Sequence, residues 1–246
     1  MNLVESLEPR RLLSGGGVGS LPQAFVSGTV LRVVAERRGS VIEITTRNAG
    51  SEVVVTFVGR GEHVFSRSAI GSIDVTGSDR RDRVTVREQG GALGLPMVIR
   101  ARGGHDLVDL DLTPARVSGG DGNDLLLGSE GEDTLIGDGG NDRLYGGAGH
   151  DLLVGGSGHD DLRGDAGDDQ LFGNKGNDQL DGGSGSDFLD GGTGHNRLVD
   201  YATVGEINTF VGGKGRNRIF GTTTDLFEDI DLWEDVLVLV PPRPAT

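Results

Sequence analysis

Between Gly119 and Val199 the chain divides every nine residues without a gap: GGDGNDLLL, GSEGEDTLI, GDGGNDRLY, GGAGHDLLV, GGSGHDDLR, GDAGDDQLF, GNKGNDQLD, GGSGSDFLD, GGTGHNRLV. Gly stands at positions 1 and 4, and Leu at position 8, in every copy; position 6 is Asp except for Asn196 in the last. A fixed period of this kind makes each copy a unit that cannot bury its apolar residue alone. Gly at 1 and 4, with Gly, Asn or Asp at 2, marks backbone that needs positive φ, so positions 1–6 read as a turn. Positions 7–9 read as a three-residue strand, with position 8 facing one side and 7 and 9 the other. Two copies then form one coil with strands on opposite walls. Leu126, Leu144, Leu162, Leu180 and Leu198 interdigitate with Leu135, Leu153, Leu171 and Leu189. The expected fold class is all-β, a parallel β-roll or β-helix solenoid. A collagen-like reading needs Gly at every third residue, and position 7 is never Gly.

Leu burial alone does not hold such coils. Each buried Leu contributes roughly 1.5–3 kcal/mol, against roughly 1–2 kcal/mol per residue for ordering backbone that Gly makes looser still. Charge points to the missing contribution. The 81 residues of the array hold 17 Asp/Glu and 4 Arg/Lys, a net −13 within a chain of −15. The period places Asp124, Asp142, Asp160 and Asp178 along one edge, and Asp133, Asp151, Asp169 and Asp187 along the other. The turns add carbonyl oxygens around Gly119, Gly122, Gly128, Gly131, Gly137, Gly140, Gly146, Gly149, Gly155, Gly158, Gly164, Gly167, Gly173 and Gly176. Carboxylate and carbonyl oxygens without thiolates favour Ca²⁺ over softer metals. One ion between each pair of same-side turns gives four on the first edge and three on the second, about seven Ca²⁺ in all.

These copies resemble the RTX, or hemolysin-type, calcium-binding nonapeptide repeat, G-G-x-G-x-D-x-U-x. The resemblance covers Gly119–Val199. It implies a parallel β-roll with Ca²⁺ between turns, secreted unfolded and folded outside the cell. The repeat accompanies toxins, proteases, lipases, epimerases and surface proteins, so it names no activity.

The chain divides into an N-terminal export-associated or disordered segment over 1–20, a β-rich stretch over 21–118, the nine repeats over 119–199, and a degenerate repeat with a C-terminal cap over 200–246. The register runs back to ARGGHDLVD at 101–109, and GSDRRDRVT at 77–85 is a second degenerate copy. Residues 25–100 otherwise read as short strands of period 2: VLRVVA, VIEITT, SEVVVTF, SIDVTG, RVTVRE, MVIRA. They form either an irregular β-helix or cap continuous with the roll, or a separate β-sandwich. Gly212–Phe220 is a detached tenth copy with Asn217 in the Asp slot. Near the N-terminus ESLEPRRLLSGG resembles the LEPR-XLL segment of large exported proteins, carried by Glu8, Pro9, Arg10, Leu12 and Leu13. No charged segment followed by an apolar run is present, so no conventional signal peptide is expected.

The absence of Cys excludes a disulfide scaffold, a Cys-ligated zinc site and a thiol nucleophile. The acidic array repels nucleic acid and anionic lipid, and no apolar run is long enough to span a membrane. His150, His159 and His195 fill position 5 and read as occupants of a variable turn slot, not a zinc set. Asp160–Asp161 and Asp168–Asp169 look like paired carboxylates, but the period already assigns Asp160 and Asp169. Gly156–Ser157–Gly158 lies within a repeat, not on a nucleophile elbow. No catalytic constellation emerges.

Outward residues Thr134/Ile136, Leu152/Val154, Gln170/Phe172 and Phe188/Asp190 make one wall largely apolar, which is rarely left in water. The segment around Phe227–Val240, or a second molecule, is expected to cover it. The sequence therefore reads as an exported, non-enzymatic Ca²⁺-binding β-roll protein, secreted or at the cell surface, with self-association or a cell-surface partner open. The alternatives are a surface adhesin or matrix component, and an accessory module of a secreted hydrolase or epimerase.

Overall fold

The computed structural model describes residues 21–35, 39–89, 93–200, 206–231 and 234–241. The segment resembling LEPR-XLL lies outside them. The described residues are all β, apart from one 3-10 turn at Arg67–Ala69. They form two sheets of eleven and twelve strands that face each other across one interior.

Successive coils contribute one strand to each sheet. In the first sheet Thr134–Gly139, Leu152–Ser157, Gln170–Lys175 and Phe188–Asp190 stack in parallel, with Leu135, Leu153, Leu171 and Leu189 in register. In the second sheet Leu125–Leu127, Arg143–Ala148, Asp161–Ala166, Gln179–Ser184 and Arg197–Val199 do the same with Leu126, Leu144, Leu162, Leu180 and Leu198. All nine Leu are buried. The expected alternation is therefore present; Leu125–Leu127, Phe188–Asp190 and Arg197–Val199 have the expected three residues, but the six strands between Thr134 and Ser184 are longer than the sequence suggests. Thr134–Gly139 and its counterparts run through positions 7–9 and on through 1–3 of the next copy. Only positions 4–6 are left outside them. Gly does not prevent pairing here, because adjacent coils supply its backbone partners at every step.

The same two interior columns continue past the repeats. Leu126 is in register with Val108, Val108 with Val84, and Val84 with Ile42. Leu135 is in register with Val117, Val117 with Ile99, Ile99 with Val75, and Val75 with Val33. The strands of residues 30–103 thus lie in the sheets of the repeats, not in a sandwich of their own. The pairing turns antiparallel at this end, where Gln23–Ser27 folds onto Val30–Val34, and Val41–Arg47, Glu52–Phe57 and Gly61–Ser66 form a meander.

At the other end Thr209–Val211 and Arg218–Thr222 add a coil, followed by Leu226–Glu228 and Val236–Val240. This corrects the expectation that Phe227–Val240 covers the apolar wall. Those residues stack as the last coil, with Phe227 against Phe210, because their own apolar residues continue the interior column. The wall is covered in part by its own neighbours. Ile136, Val154 and Phe172 stand in one column, and the Phe172 and Phe188 rings are 5.5 Å apart.

Candidate metal centre

Each turn is shaped by three different constraints. Position 2, except at Ser129, takes the left-handed conformation: φ is 74° at Asp138, 73° at Asp165 and 72° at Asn174. Asp and Asn tolerate that region better than other side chains, which explains why they share the slot with Gly. Position 4 needs Gly twice over. At Gly140 φ is 132°, and a Cβ would run into the carbonyl oxygen of Gly122 in the preceding coil. Position 1 differs from the sequence expectation, because Gly137 has no left-handed φ. Its missing Cβ instead leaves a hollow filled by Oδ2 of Asp142, with the carbonyl oxygen of Gly155 2.5 Å from where that Cβ would lie. Gly146, Gly164 and Gly173 leave the same hollow for Asp151, Asp169 and Asp178.

The position-6 carboxylates form two ladders. On the first edge the backbone N–H of Asp82 donates to Oδ1 of Asp106 (2.6 Å), Asp106 to Asp124 (2.7 Å), and Asp124 to Asp142 (2.8 Å). Asp142 then donates to Asp160 (2.8 Å), Asp160 to Asp178 (2.9 Å), and Asp178 to Oδ1 of Asn196 (2.9 Å). On the second edge Ala115 donates to Asp133 (2.6 Å), Asp133 to Asp151 (2.7 Å), Asp151 to Asp169 (2.8 Å), Asp169 to Asp187 (2.7 Å), and Asp187 to Asn208 (2.8 Å). One oxygen of each carboxylate is therefore a structural acceptor. Asn serves that purpose equally well, which is why Asn196 and Asn208 extend the ladders.

The other oxygen is the unusual one. Oδ2 of Asp106, Asp124, Asp142, Asp151, Asp160, Asp169, Asp178 and Asp187 is buried without a hydrogen-bond partner. Leaving a charged group so placed costs upwards of about 1–3 kcal/mol each. Burial raises their pKa values, and neighbouring carboxylates in the ladder add to this at several. Asp106, Asp142 and Asp151 are pushed up to about 7, and Asp169 and Asp178 to about 6. The arrangement repeats a buried carboxylate oxygen beside a backbone carbonyl oxygen in the space that the position-1 glycine leaves. That donor set fits a hard divalent cation. Among the described residues no three His, Asp or Glu side chains converge on one point, so backbone carbonyls must supply much of any coordination shell.

Two sequence-derived candidates behave differently from the rest. Asp133 belongs to the ladder, but its Oδ2 accepts from the N–H and hydroxyl of Ser129 at 2.7 and 2.8 Å. Gly131 likewise lacks the left-handed φ and faces Pro114. Asp82 repeats this solution with Ser78, at 2.6 and 2.9 Å. In both turns Ser at position 2 satisfies the carboxylate internally. Conversely, Asp106 has the environment of the array Asp residues although it precedes the nine copies. Its signal is the register of ARGGHDLVD.

Position 5 is more constrained than a variable slot. Asn123 N–H donates to Nδ1 of His105 (2.7 Å), Asn141 to Oδ1 of Asn123 (2.9 Å), His159 to Asn141 (2.8 Å), Asn177 to Nδ1 of His159 (2.8 Å), and His195 to Asn177 (2.8 Å). On the second edge Asp168 donates to Nδ1 of His150 (2.9 Å), and Ser186 to Asp168 (2.8 Å). The Asn, Asp and His occupants present an acceptor bonded to Cγ, and Ser186 uses its hydroxyl to accept from the Ile207 N–H (3.0 Å).

One further buried carboxylate is not marked by the repeat. Asp200 occupies position 1 of the copy that would follow the array, where Gly is the rule. It is 1% exposed, and neither of its oxygens accepts from an N–H or hydroxyl donor. Burial, a hydrogen bond to the Asp187 carboxyl and the charge of Asp187 push it up to about 10.

Family comparison agrees with this geometry. Residues 118–153, 127–162, 154–189, 163–198 and 204–223 match the model of the RTX calcium-binding nonapeptide repeat (4 copies). The chain carries RTX calcium-binding nonapeptide repeats between residues 118 and 223. Among curated proteins no significant match is found.

Proposed function

We propose that this protein is an exported, non-enzymatic β-roll whose repeat coils fold on binding Ca²⁺. The observation that carries this reading is the row of eight buried carboxylate oxygens without partners. Asp106, Asp124, Asp142, Asp160 and Asp178 would hold ions on the first edge, and Asp151, Asp169 and Asp187 on the second. The carbonyl oxygens of the position-1 and position-4 glycines complete each shell. Bound Ca²⁺ supplies positive charge that relieves both the desolvation of each carboxylate and the repulsion along each ladder. Asp133 stays outside the ligand set because Ser129 already satisfies it. Turns of opposite edges are independent, so the sites fill as two rows, on the order of seven ions as donor pairs allow.

Metal binding of this kind is folding free energy, since the hollows exist only when coils stack. Calcium is scarce in cytoplasm and plentiful outside cells, so the repeats order after export to the extracellular medium or cell surface. The interior is filled by side chains, and the buried acids serve the ladders, which supports a binding or structural role over catalysis. No helix among the described residues is long and apolar enough to cross a membrane.

Equilibrium dialysis of the full chain against Ca²⁺, with Mg²⁺ in a parallel series, tests the reading. Several Ca²⁺ bound per chain, resistant to excess Mg²⁺, is the expected result. No saturable Ca²⁺ binding would refute it.

A further inference from the structure

The second edge ends in an arrangement that no other described turn contains. Along it, the hollow at position 1 is lined by a carboxylate oxygen and the carbonyl of the next position-1 glycine: Asp151 with Gly164 at Gly146, and Asp169 with Gly182 at Gly164. At Gly182 the second donor changes. A Cβ there would run into Oδ2 of Asp200 as well as meeting Oδ2 of Asp187. A carboxyl group has replaced a backbone carbonyl.

Both residues are at least 98% buried, three of their four oxygens accept from no N–H or hydroxyl donor, and the two carboxyl groups lie within hydrogen-bond reach of each other. The fourth, Oδ1 of Asp187, accepts from the N–H of Asp169. The surroundings offer no compensation. Among the described residues no Arg or Lys is ion-paired with either group, and the charges that act on the pair, from Asp168, Asp181, Asp225 and Glu206, are all acidic. Two carboxylates cannot both ionise at such a place unless a cation lies between them.

We infer that Asp187 and Asp200 form a two-carboxylate Ca²⁺ site that closes the second edge and binds more tightly than the single-carboxylate sites of the same row. This rests on the proposed filling of the turns by Ca²⁺ and adds Asp200 as a ligand. Affinity in oxygen-donor sites rises with the number of charged ligands. The last ion of the row then becomes the first to bind, at the end where the Gly-rich coils meet the 206–231 coil.

Calorimetric titration of the full chain with CaCl₂ at about pH 7.5, for the native sequence, Asp200→Gly, Asp200→Asn and Asp151→Asn, tests this. Asp200→Gly restores the residue that the repeat prescribes, so folding in saturating Ca²⁺, followed by circular dichroism, is expected to survive. The native chain is expected to show a class of one ion at least about tenfold tighter than the rest. Both Asp200 variants lose that class and keep the weaker sites, whereas Asp151→Asn loses a weaker ion and keeps the tight one. Unchanged stoichiometry and affinities in both Asp200 variants would overturn the site and leave a proton shared between the two acids. Absence of Ca²⁺ binding in the native chain would overturn the wider reading instead, so the two failures are distinguishable.

Discussion

Strand Val41–Arg47 buries Ile42 and Ile44, and its antiparallel neighbour Glu52–Phe57 adds Val53, Val55 and Phe57 to the same core. Strand Thr134–Gly139 buries one apolar side chain, Leu135, and a glycine. At roughly 1.5–3 kcal/mol per large apolar side chain, the N-terminal coils gain about two to three times as much from burial per strand as the repeat coils. Their charges differ in the same sense. Asp82 finds Ser78 for its second oxygen, while the array leaves one unpartnered oxygen in almost every turn. Before the array, Glu88, with one free oxygen beside its bond from Thr113, and Asp106 are exceptions. The two regions share sheets and register. One solenoid can thus be held by apolar surplus at one end and by cations at the other, with the turn sequence deciding which.

The largest separation between the regions is expected from pH. Without metal, five array-type carboxylates sit at about 6 or 7, against roughly 3.9 for Asp in an unfolded chain. The folded coils then hold protons that the unfolded chain has released. Their stability is fully present below about pH 4 and is lost as the pH rises through 6 and 7. A tenfold difference in proton affinity between the folded and unfolded chain is worth about 1.4 kcal/mol, so such groups together amount to several kcal/mol. Chelator-treated protein is expected to show more β signal at about pH 5 than at about pH 8, and the Ca²⁺ midpoint to fall as pH rises from about 6 to 8. A chelated spectrum independent of pH would break the contrast.

Next in size is a matched pair of glycine substitutions. Gly158 has φ 139° and a Cβ there would collide with the Gly140 carbonyl, whereas Gly59 has φ 79° with nothing within 4 Å. Gly158→Ala is expected to cost about 3 kcal/mol or more, and Gly59→Ala about 1 kcal/mol. Thermal unfolding in saturating Ca²⁺ measures both; equal losses would mean that coil spacing is not what position 4 protects.

Smaller effects come from paired turns. Ser129→Ala removes an internal partner of Asp133 and is expected to cost about 1 kcal/mol with or without Ca²⁺. Asp142→Asn keeps the ladder acceptor but removes an unpaired charge, so it is expected to stabilise the chelated protein and weaken Ca²⁺ binding. Denaturant unfolding with and without Ca²⁺ reads both signs. Smallest of all, His159→Asn preserves an acceptor at position 5 and is expected to be near neutral, while His159→Ala costs about 1 kcal/mol; identical losses would return position 5 to a variable slot.

The period makes the coil, the Leu columns and the Asp edges legible, because each rests on one invariant residue and a fixed spacing. What it hides is division of labour within a turn. Gly at position 1 looks like Gly at position 4, yet one makes room for a carboxylate and the other takes a left-handed backbone. Asp133 looks like Asp142, and only the Ser129 contact separates them. Asp200 falls outside the period and carries no signal of its own, since its partner Asp187 is close only through the stacking of coils. The length of the strands is equally hidden, because it depends on hydrogen bonds from neighbouring coils and not on local propensity.

Hydrogen exchange followed by mass spectrometry, on the full chain with Ca²⁺ and after chelation at about pH 7.5, tests the central claim most directly. With Ca²⁺ both regions are expected to be protected. After chelation, strands of residues 30–87 are expected to keep their protection while those of 107–199 lose it. Equal protection of the repeat strands in both conditions would contradict the account, because packing alone would then hold coils whose buried carboxylates have no partner.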